Sequence, residues 1–325
     1  MKRSRKIAIF CAALLVMGAI RMPLEIALTR ELRSANLLPP ELNIGTRERI
    51  GQTSSAVALG GLRTLVATFL NLKAYNYFMD MRWDDLGETF NTIVDLAPRT
   101  GYYWDVGSWH LAYNAASYYI ESDNLPPVMR KNEWRNNILK GRAFLERGIR
   151  NNPNDWKLKS RLGQMLADSN KIGAFPDEAE AYATSAAAYK AASEIEHSPL
   201  FMRRAELYSL ARVPGREAEA LSLAKDLNEH TKVHPPTLRC LLFVLQMHEN
   251  PKRDARELAV QIFKDPKTAY QMLSVHWQRT DDRFPQDGVA SALVALEAEL
   301  QIPEEKSVFN IPQPRRMGPK DWFQK

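Results

Sequence analysis

Residues 141–166 read GRAFLERGIRNNPNDWKLKSRLGQML, and their spacing predicts a helix that packs very closely against a neighbour. Gly141 and Gly148 lie seven residues apart, so they fall on one helical face. Because neither carries a side chain, a second helix can approach the backbone there. Leu145 lies between the two glycines on the same face, and we expect it to fill the space that they leave.

The second half of this stretch predicts a corner and a new helix. Pro153 cannot donate a backbone hydrogen bond and disfavours helical geometry at the residue before it, so the first helix should end there. Asn154 or Asp155 can cap the next helix. The Leu162-Gly163 pair in that helix is expected to face back onto the first. The stretch is therefore one helical hairpin that meets the next across a proline.

This arrangement resembles the tetratricopeptide repeat, in which small or aromatic residues precede a proline and a Leu-Gly pair follows it. Pro98 fits the same template, with Leu86, Phe90, Ile93, Trp104, Gly107 and Ser108 at the corresponding positions; Phe90 and Trp104 are residue types that the family favours there, whereas Ile93 replaces the preferred alanine. The corners at Pro199 and Pro235 keep fewer of the expected residues. The resemblance implies an all-α protein, a right-handed α-solenoid of about six helix pairs.

Helical stretches alternate with breakers along the whole body of the chain, and no strand series or hairpin signal appears. The predicted helices are Val57–Phe78, Trp83–Leu96, Tyr102–Ile120, Glu133–Arg150, Trp156–Ser169, Asp177–Ile195, Leu200–Ala211, Arg216–Thr231, Thr237–Met247, Arg253–Phe263, Lys267–Trp277 and Val289–Leu300. Corners are predicted at Pro98, Pro153, Pro199, Pro235-Pro236 and Pro266. The segments Ser122–Lys131 and Asn170–Pro176 are expected to be inserted loops.

The positive charge of the chain is concentrated at its beginning. Residues 1–33 contain seven of the 44 basic side chains and two of the 38 acidic ones, which leaves 37 against 36 in the remainder. A nearly neutral body gives no reason to expect a nucleic-acid surface. With only Cys11 and Cys240, the chain has no disulfide scaffold and no multi-cysteine zinc site.

Residues 1–33 are predicted to form a membrane anchor. Ile7–Ile20 is an uninterrupted apolar run of about 21 Å, which is the length of a signal-peptide core, so a cleaved signal is the alternative. Suitable cleavage sites are absent, and the apolar character continues to Leu28, which extends the helix to about 33 Å. The basic residues ahead of it favour a cytoplasmic N-terminus and an extracytoplasmic body, periplasmic in a Gram-negative cell envelope.

The remaining boundaries follow from composition. Residues 34–55 contain proline, glycine and a Thr-Ser-Ser run and are predicted to be a linker. Residues 56–300 form the predicted repeat domain. Residues 301–325 are a proline-rich tail. That tail is either a solvated end, a strap that packs on the last helices, or a docking peptide for a partner.

The most unusual composition lies in residues 102–119, YYWDVGSWHLAYNAASYY. In the repeat, Trp104 and Leu111 would point into the packing between helices. The positions that the resemblance places along the concave groove are Tyr102, Asp105, Trp109 and Tyr113, followed in the next groove-lining helix by Lys157, Ser160, Gln164 and Asp168. Trp109 and Tyr113 are either core residues or anchors for a bound peptide, because tryptophan and tyrosine serve both roles.

The sequence contains no motif of a hydrolase, a dinucleotide-binding fold or a phosphate-binding loop. His230 and His234 are four residues apart, but Thr231 stands where a zinc protease needs glutamate, and His234 precedes Pro235. We therefore expect no catalytic residue, no metal and no cofactor. The expected function is a membrane-anchored scaffold that binds a protein or peptide partner, without a small-molecule substrate. The alternative is a membrane-attached enzyme or cofactor-binding protein with a site around His110.

Overall fold

The computed structural model describes residues 63–279 and 283–311, together with Pro23 and Ala27. The predicted anchor at 1–33 (apart from those two residues), the predicted linker at 34–55 and the tail from 312 onward lie outside the described residues. Within the described ranges the chain is helical and contains no β-strand, so the predicted all-α class is confirmed. No helix in these ranges combines the length and the apolarity that crossing a bilayer requires.

The helices follow the predicted order, and most of their ends lie within two residues of the predicted ones. They are α1 (Arg63–Met79), α2 (Trp83–Leu96), α3 (Gly101–Trp109), a π-helix (His110–Ala115), α4 (Ala116–Glu121), α5 (Pro127–Asn151), α6 (Trp156–Ala167), α7 (Glu178–Ser193), α8 (Phe201–Leu210), α9 (Glu217–His230), α10 (Pro236–Glu249), α11 (Ala255–Phe263), α12 (Pro266–Trp277) and α13 (Val289–Glu299).

The chain divides into two compact units between Tyr103 and Trp104. In the first unit, α1 and α2 pack as a hairpin across the predicted break at residues 80–82. Helix α1 buries only two alanines, Ala67 and Ala74. Helix α2 buries its larger side chains: Trp83, Leu86, Phe90, Ile93 and Val94.

In the second unit each helix packs mainly on its neighbours in sequence, from the π-helix and α4 on α5 through to α9 on α10. Helix α10 is apolar around most of its circumference and lies within an extensive hydrophobic core, because Leu238 and the run from Cys240 to Leu245 are all buried. After α10 the pattern changes, since α13 packs against both α11 and α12.

The glycines of the opening stretch make the close contacts that the sequence predicts. A Cβ on Gly141 would lie 2.6 Å from the Ala112 Cβ, and a Cβ on Gly148 would lie 2.7 Å from the Trp104 Cβ. Leu145 is completely buried between them. Gly163 differs from the prediction: its nearest neighbour is the Tyr189 ring on the following helix, α7, at 2.7 Å from a built Cβ.

Two segments predicted as inserted loops are more ordered than expected. Helix α5 begins at Pro127, inside the predicted loop 122–131, because proline is well suited to the first helical position, where its missing N–H has no partner to lose. The second predicted loop contains a 3₁₀-helix, Ile172–Ala174, whose Ile172 is fully buried. Prolines mark helix starts as well as helix ends, so the Pro126-Pro127 pair does not by itself distinguish a loop from the start of a helix.

The first part of the predicted tail packs against the folded body. Glu297 on α13 accepts hydrogen bonds from the Ser307 hydroxyl and from the Val308 N–H, both at 2.9 Å. Val308 is buried, and the Phe309 ring meets the edge of Trp277 at 5.5 Å. Of the alternatives for the tail, residues 302–309 correspond to a strap over the last helices.

Candidate functional site

The candidate site begins with two aromatic rings on the surface of the second unit. Trp109 and Tyr113 are stacked, with ring centroids 4.1 Å apart and planes inclined by 9°. The Trp109 side chain is 38% exposed, whereas Trp104 on the same helix is 1% exposed and packs on Phe144. Trp104 and Leu111 are therefore core residues, as predicted, and Trp109 is a surface residue.

The stack lies where α3 passes into the π-helix, since Trp109 is the last residue of α3 and Tyr113 lies within the π-helix. In the π-helix the Ala116 N–H donates to the carbonyl of Leu111, five residues earlier, instead of the usual four. Residues four apart lie on the same side of the helix, so the Trp109 and Tyr113 rings can meet. The neighbouring His110 is half-buried and its Nδ1 lies 2.9 Å from the Asn114 amide nitrogen. Nothing in the sequence pattern indicated a π-helix here.

Arg161 on α6 holds the stack from one side. Its Nε and Nη2 donate to the two carboxylate oxygens of Asp105, at 2.6 and 3.3 Å, and its Nη1 donates to Gln164 Oε1 at 2.8 Å. The guanidinium carbon lies 5.4 Å from the Trp109 ring centroid, within cation–π range. The hydrogen bond with Asp105 raises the pKa of Arg161. These contacts fix the orientation of the guanidinium and of the indole.

Lys171 covers the Tyr113 ring of the stack. Its Nζ lies 4.0 Å from the Tyr113 ring centroid and 4.0 Å from Asp168 Oδ2, and the side chain is buried. This burial lowers the pKa of Lys171. The Tyr113 hydroxyl is buried without a hydrogen-bond partner, and burial, followed by the charge of Asp168, raises its pKa. The ring is therefore held by packing and by a cation, and within the described part of the chain no atom forms a hydrogen bond with its hydroxyl.

A cleft of about 370 Å³ opens beside this cluster. It is lined by side chains of α6, α7 and α8 and the residues that follow α6 and α8: Gln164, Ala167, Asp168, Ser169, Tyr189, Ala205, Tyr208, Ser209 and Arg212. Burial raises the pKa of Tyr189 to about 12. Beneath the cleft, the Ser185 hydroxyl lies 2.7 Å from the Gly163 carbonyl oxygen and 2.8 Å from the Ser209 hydroxyl, which links α6, α7 and α8.

The structure brings together five of the predicted groove residues in this one region of the second unit: Asp105, Trp109, Tyr113, Gln164 and Asp168. Tyr102 belongs to the first unit, where it is exposed and meets the edge of the Tyr103 ring. Lys157 lies at the start of α6 over the Trp156 ring and does not line the cleft.

Sequence reasoning missed four residues of the site: Arg161, Lys171, Tyr189 and Arg212. Arg161 could have been found, because it lies three residues before Gln164 on the same helical face. Lys171 and Arg212 follow the ends of their helices, and Tyr189 reaches the cleft from α7, the helix after α6. No periodicity within a single helix points to those three residues.

The histidines show no sign of a shared site. Helix α9 ends at His230, one residue before the predicted end, and His230 and His234 are each within hydrogen-bond distance of a backbone carbonyl oxygen, of Asp226 and Asn228 respectively. Burial lowers the pKa of His110. Within residues 63–279 and 283–311, no three histidine, cysteine or acidic side chains are close enough together to hold a metal ion.

Searches with protein-family models, against curated proteins and against solved structures give no match to this chain.

Proposed function

We propose that this chain is a membrane-anchored, non-catalytic scaffold that binds a segment of a protein partner along the surface formed by the Trp109–Tyr113 stack and the adjacent cleft. The finer architecture that we propose with it is a tetratricopeptide-like right-handed solenoid of about six helix pairs. The anchor is the single helix predicted from residues 1–33, with the body outside the cytoplasm.

The observation that carries this proposal is the fixed, exposed indole of Trp109. When a partner covers this ring, apolar surface is removed from water. The cost in side-chain entropy is small, since Tyr113 and Arg161 already hold the ring in place. Tryptophan, tyrosine and arginine are also the residues that most often dominate binding energies at protein interfaces.

The cleft adds groups that suit a peptide backbone. Arg161 donates a hydrogen bond to Gln164 Oε1, which orients the side-chain amide of Gln164. The Nε2 hydrogens of that amide can then donate to a peptide carbonyl. Asp168, the residue directly after α6, accepts a hydrogen bond from the Asn170 N–H through Oδ1, and its Oδ2 lies 4.0 Å from Lys171 Nζ. A donor and an acceptor four residues apart can pair with the C=O and N–H of an extended segment.

Site-directed photocrosslinking in native membranes tests this function. With benzoylphenylalanine at Gln164, in the cleft, we expect one partner to be captured and identified by mass spectrometry. The matched control carries the same group at Ala187, an exposed position of α7 that does not line the cleft. We expect Trp109→Ala to abolish the crosslink from position 164 without changing the amount of folded protein.

Equal capture from positions 164 and 187, or capture that survives Trp109→Ala, would show that this surface is not the binding site. Cofactor absorbance or a stoichiometric metal in the purified protein would instead favour the alternative function around His110.

A further inference from the structure

Helix α1 of the first unit carries large apolar side chains on its exposed face. Leu65, Phe69, Leu72, Tyr75 and Met79 are each about half exposed or more, and Phe69 and Leu72 reach 62%. The only fully buried residues of α1 are Ala67 and Ala74, on the face that packs on α2. Leu65, Leu72 and Met79 repeat every seven residues, about 150° around the helix from those alanines. We call this exposed row, with Phe69 and Tyr75, the α1 stripe.

We propose that the α1 stripe lies in the interfacial layer of an anionic lipid bilayer, with α1 parallel to the membrane plane. This inference rests on the membrane anchor of the proposed function. Among the described residues no helix is long and apolar enough to cross a bilayer, and α1 carries Lys73 in its middle. An apolar stripe backed by a folded layer is suited to lying on the surface instead.

The charges of the first unit favour this orientation. Helix α1 contains no acidic residue, and its exposed basic residue is Lys73, whereas Arg63 is half-buried. Helix α2, on the opposite side of α1 from the stripe, contains four acidic residues and no basic one: Asp84, Asp85, Glu88 and Asp95. Anionic lipid headgroups attract the first helix and repel the second, so the bilayer is complementary to the stripe side of the hairpin.

The position of α1 in the chain is also consistent with contact between the α1 stripe and the bilayer. The predicted anchor ends at Leu28, and α1 begins at Arg63, so it is the first described helix after the anchor. The 34 intervening residues can span at most about 120 Å, and any shorter separation allows α1 to return to the membrane surface. Tyr75 and Asn76 contribute a hydroxyl and an amide that are compatible with headgroup depth.

A second copy of the chain fits the stripe less well. Paired α1 helices would bring two cationic, acid-free segments together, and the apolar repeat extends over fewer than three heptads, which is short for a stable helix pair.

The experiment uses the full chain with Cys11→Ala, reconstituted into vesicles of phosphatidylethanolamine and phosphatidylglycerol. Cys240 can stay, because its thiol is buried and burial raises its pKa to about 12, so a maleimide dye does not reach it. An environment-sensitive dye is attached at Leu72→Cys in the stripe or, as the control, at Thr92→Cys on the exposed side of α2.

Spin-labelled lipids that quench the dye then report its depth. We expect the dye at position 72 to lose at least about half of its fluorescence, and the dye at position 92 to lose almost none, because an interfacial helix lies some 5–10 Å deep. Adding Leu65→Asp and Met79→Asp should abolish the quenching at position 72. These exposed substitutions should leave the thermal unfolding of the protein unchanged, which excludes misfolding as the cause.

Flotation of the vesicles separates this inference from the proposed anchor. A chain that floats with the vesicles but shows no quenching at position 72 overturns the α1 inference and leaves the anchor standing. A chain that does not float and is not quenched overturns both. Disulfide formation between two Leu72→Cys chains, without lipid quenching, would assign the stripe to a second copy and would also overturn the inference.

Discussion

At the scale of single residues, Gly148 is the strictest test of the packing. Leucine there gains up to about 1 kcal/mol in helix propensity, but its Cβ would lie 2.7 Å from the Cβ and Cγ of Trp104, which are not at the free end of a flexible side chain. Overpacking therefore dominates, and we expect Gly148→Leu to lower the free energy of unfolding by about 1–3 kcal/mol. Thermal unfolding measures the change, with Ala143→Leu at an exposed position of the same helix as the control.

The aromatic pair gives a second prediction at this scale. Trp104→Ala should cost about 3–5 kcal/mol of stability, because Trp104 is 1% exposed. Trp109→Ala and Tyr113→Ala should cost clearly less and yet abolish partner capture. Unfolding and pull-down on the same variants separate the two effects. A Trp109 variant as unstable as the Trp104 variant would contradict the assignment of Trp109 to the binding surface.

Tyr189 gives a prediction about pH. Its pKa is raised to about 12 by burial, whereas a tyrosine in the unfolded chain titrates near ~10. Between these values the folded protein keeps the proton and the unfolded chain loses it, so the stability is complete below pH ~10 and falls as the pH rises towards 12. We expect the free energy of unfolding, measured with urea at pH ~8 and ~11, to decrease by about 1 kcal/mol less in Tyr189→Phe than in the unaltered protein. Identical losses in the two proteins would contradict this.

Single residues also show how far a sequence can be interpreted. The close contacts of Gly141 and Gly148 were predictable, since spacing along one helix determines which residues share a face. The sequence does not distinguish a core position from a surface position for Trp109, because cores and interfaces use the same residue types. The cation over Tyr113 comes from Lys171, 58 positions further along the chain, and only the folded structure brings the two together.

At the scale of helices, the ion pair between Asp105 on α3 and Arg161 on α6 connects the two groove-lining elements of the site. It has two N–H···O contacts, but both side chains are about one-third exposed, so solvent screens it. A double-mutant cycle with Asp105→Ala and Arg161→Ala should give a coupling energy of about 0.5–1 kcal/mol. A coupling of zero would mean that the pair does not contribute to holding α3 against α6.

The helices themselves could be predicted almost completely, because proline corners and apolar periodicity are local signals. The exceptions are equally physical. Helix α5 starts at Pro127, inside a segment where two consecutive prolines indicated a loop. The predicted helix Tyr102–Ile120 is present but contains the π-helix at His110–Ala115. The change from four-residue to five-residue spacing of the backbone hydrogen bonds depends on the residues that pack around the helix. The sequence of the helix alone does not specify those neighbours.

At the scale of the whole molecule, the predicted anchor determines where the protein acts. Intact-mass measurement of the mature protein from membranes should give the mass of the full chain, because the apolar segment continues to Leu28 without a suitable cleavage site. The loss of the first ~20–30 residues would contradict the anchor and indicate a secreted protein. One mass spectrum distinguishes the full-length chain from the shortened one, so no separate control variant is needed.

The π-helix has one further consequence. Each hydrogen bond in it closes a loop that is one residue longer than in an α-helix, so the segment behaves like a single-residue insertion that the helix has absorbed. It sets the angular phase of α4 relative to α3, while α5 continues to contact both the π-helix and α4. A chain one residue shorter in this segment could form an uninterrupted α-helix there and would then present α4 to α5 at a different angle. The face that α4 packs on α5 thus depends on a length difference of one amino acid.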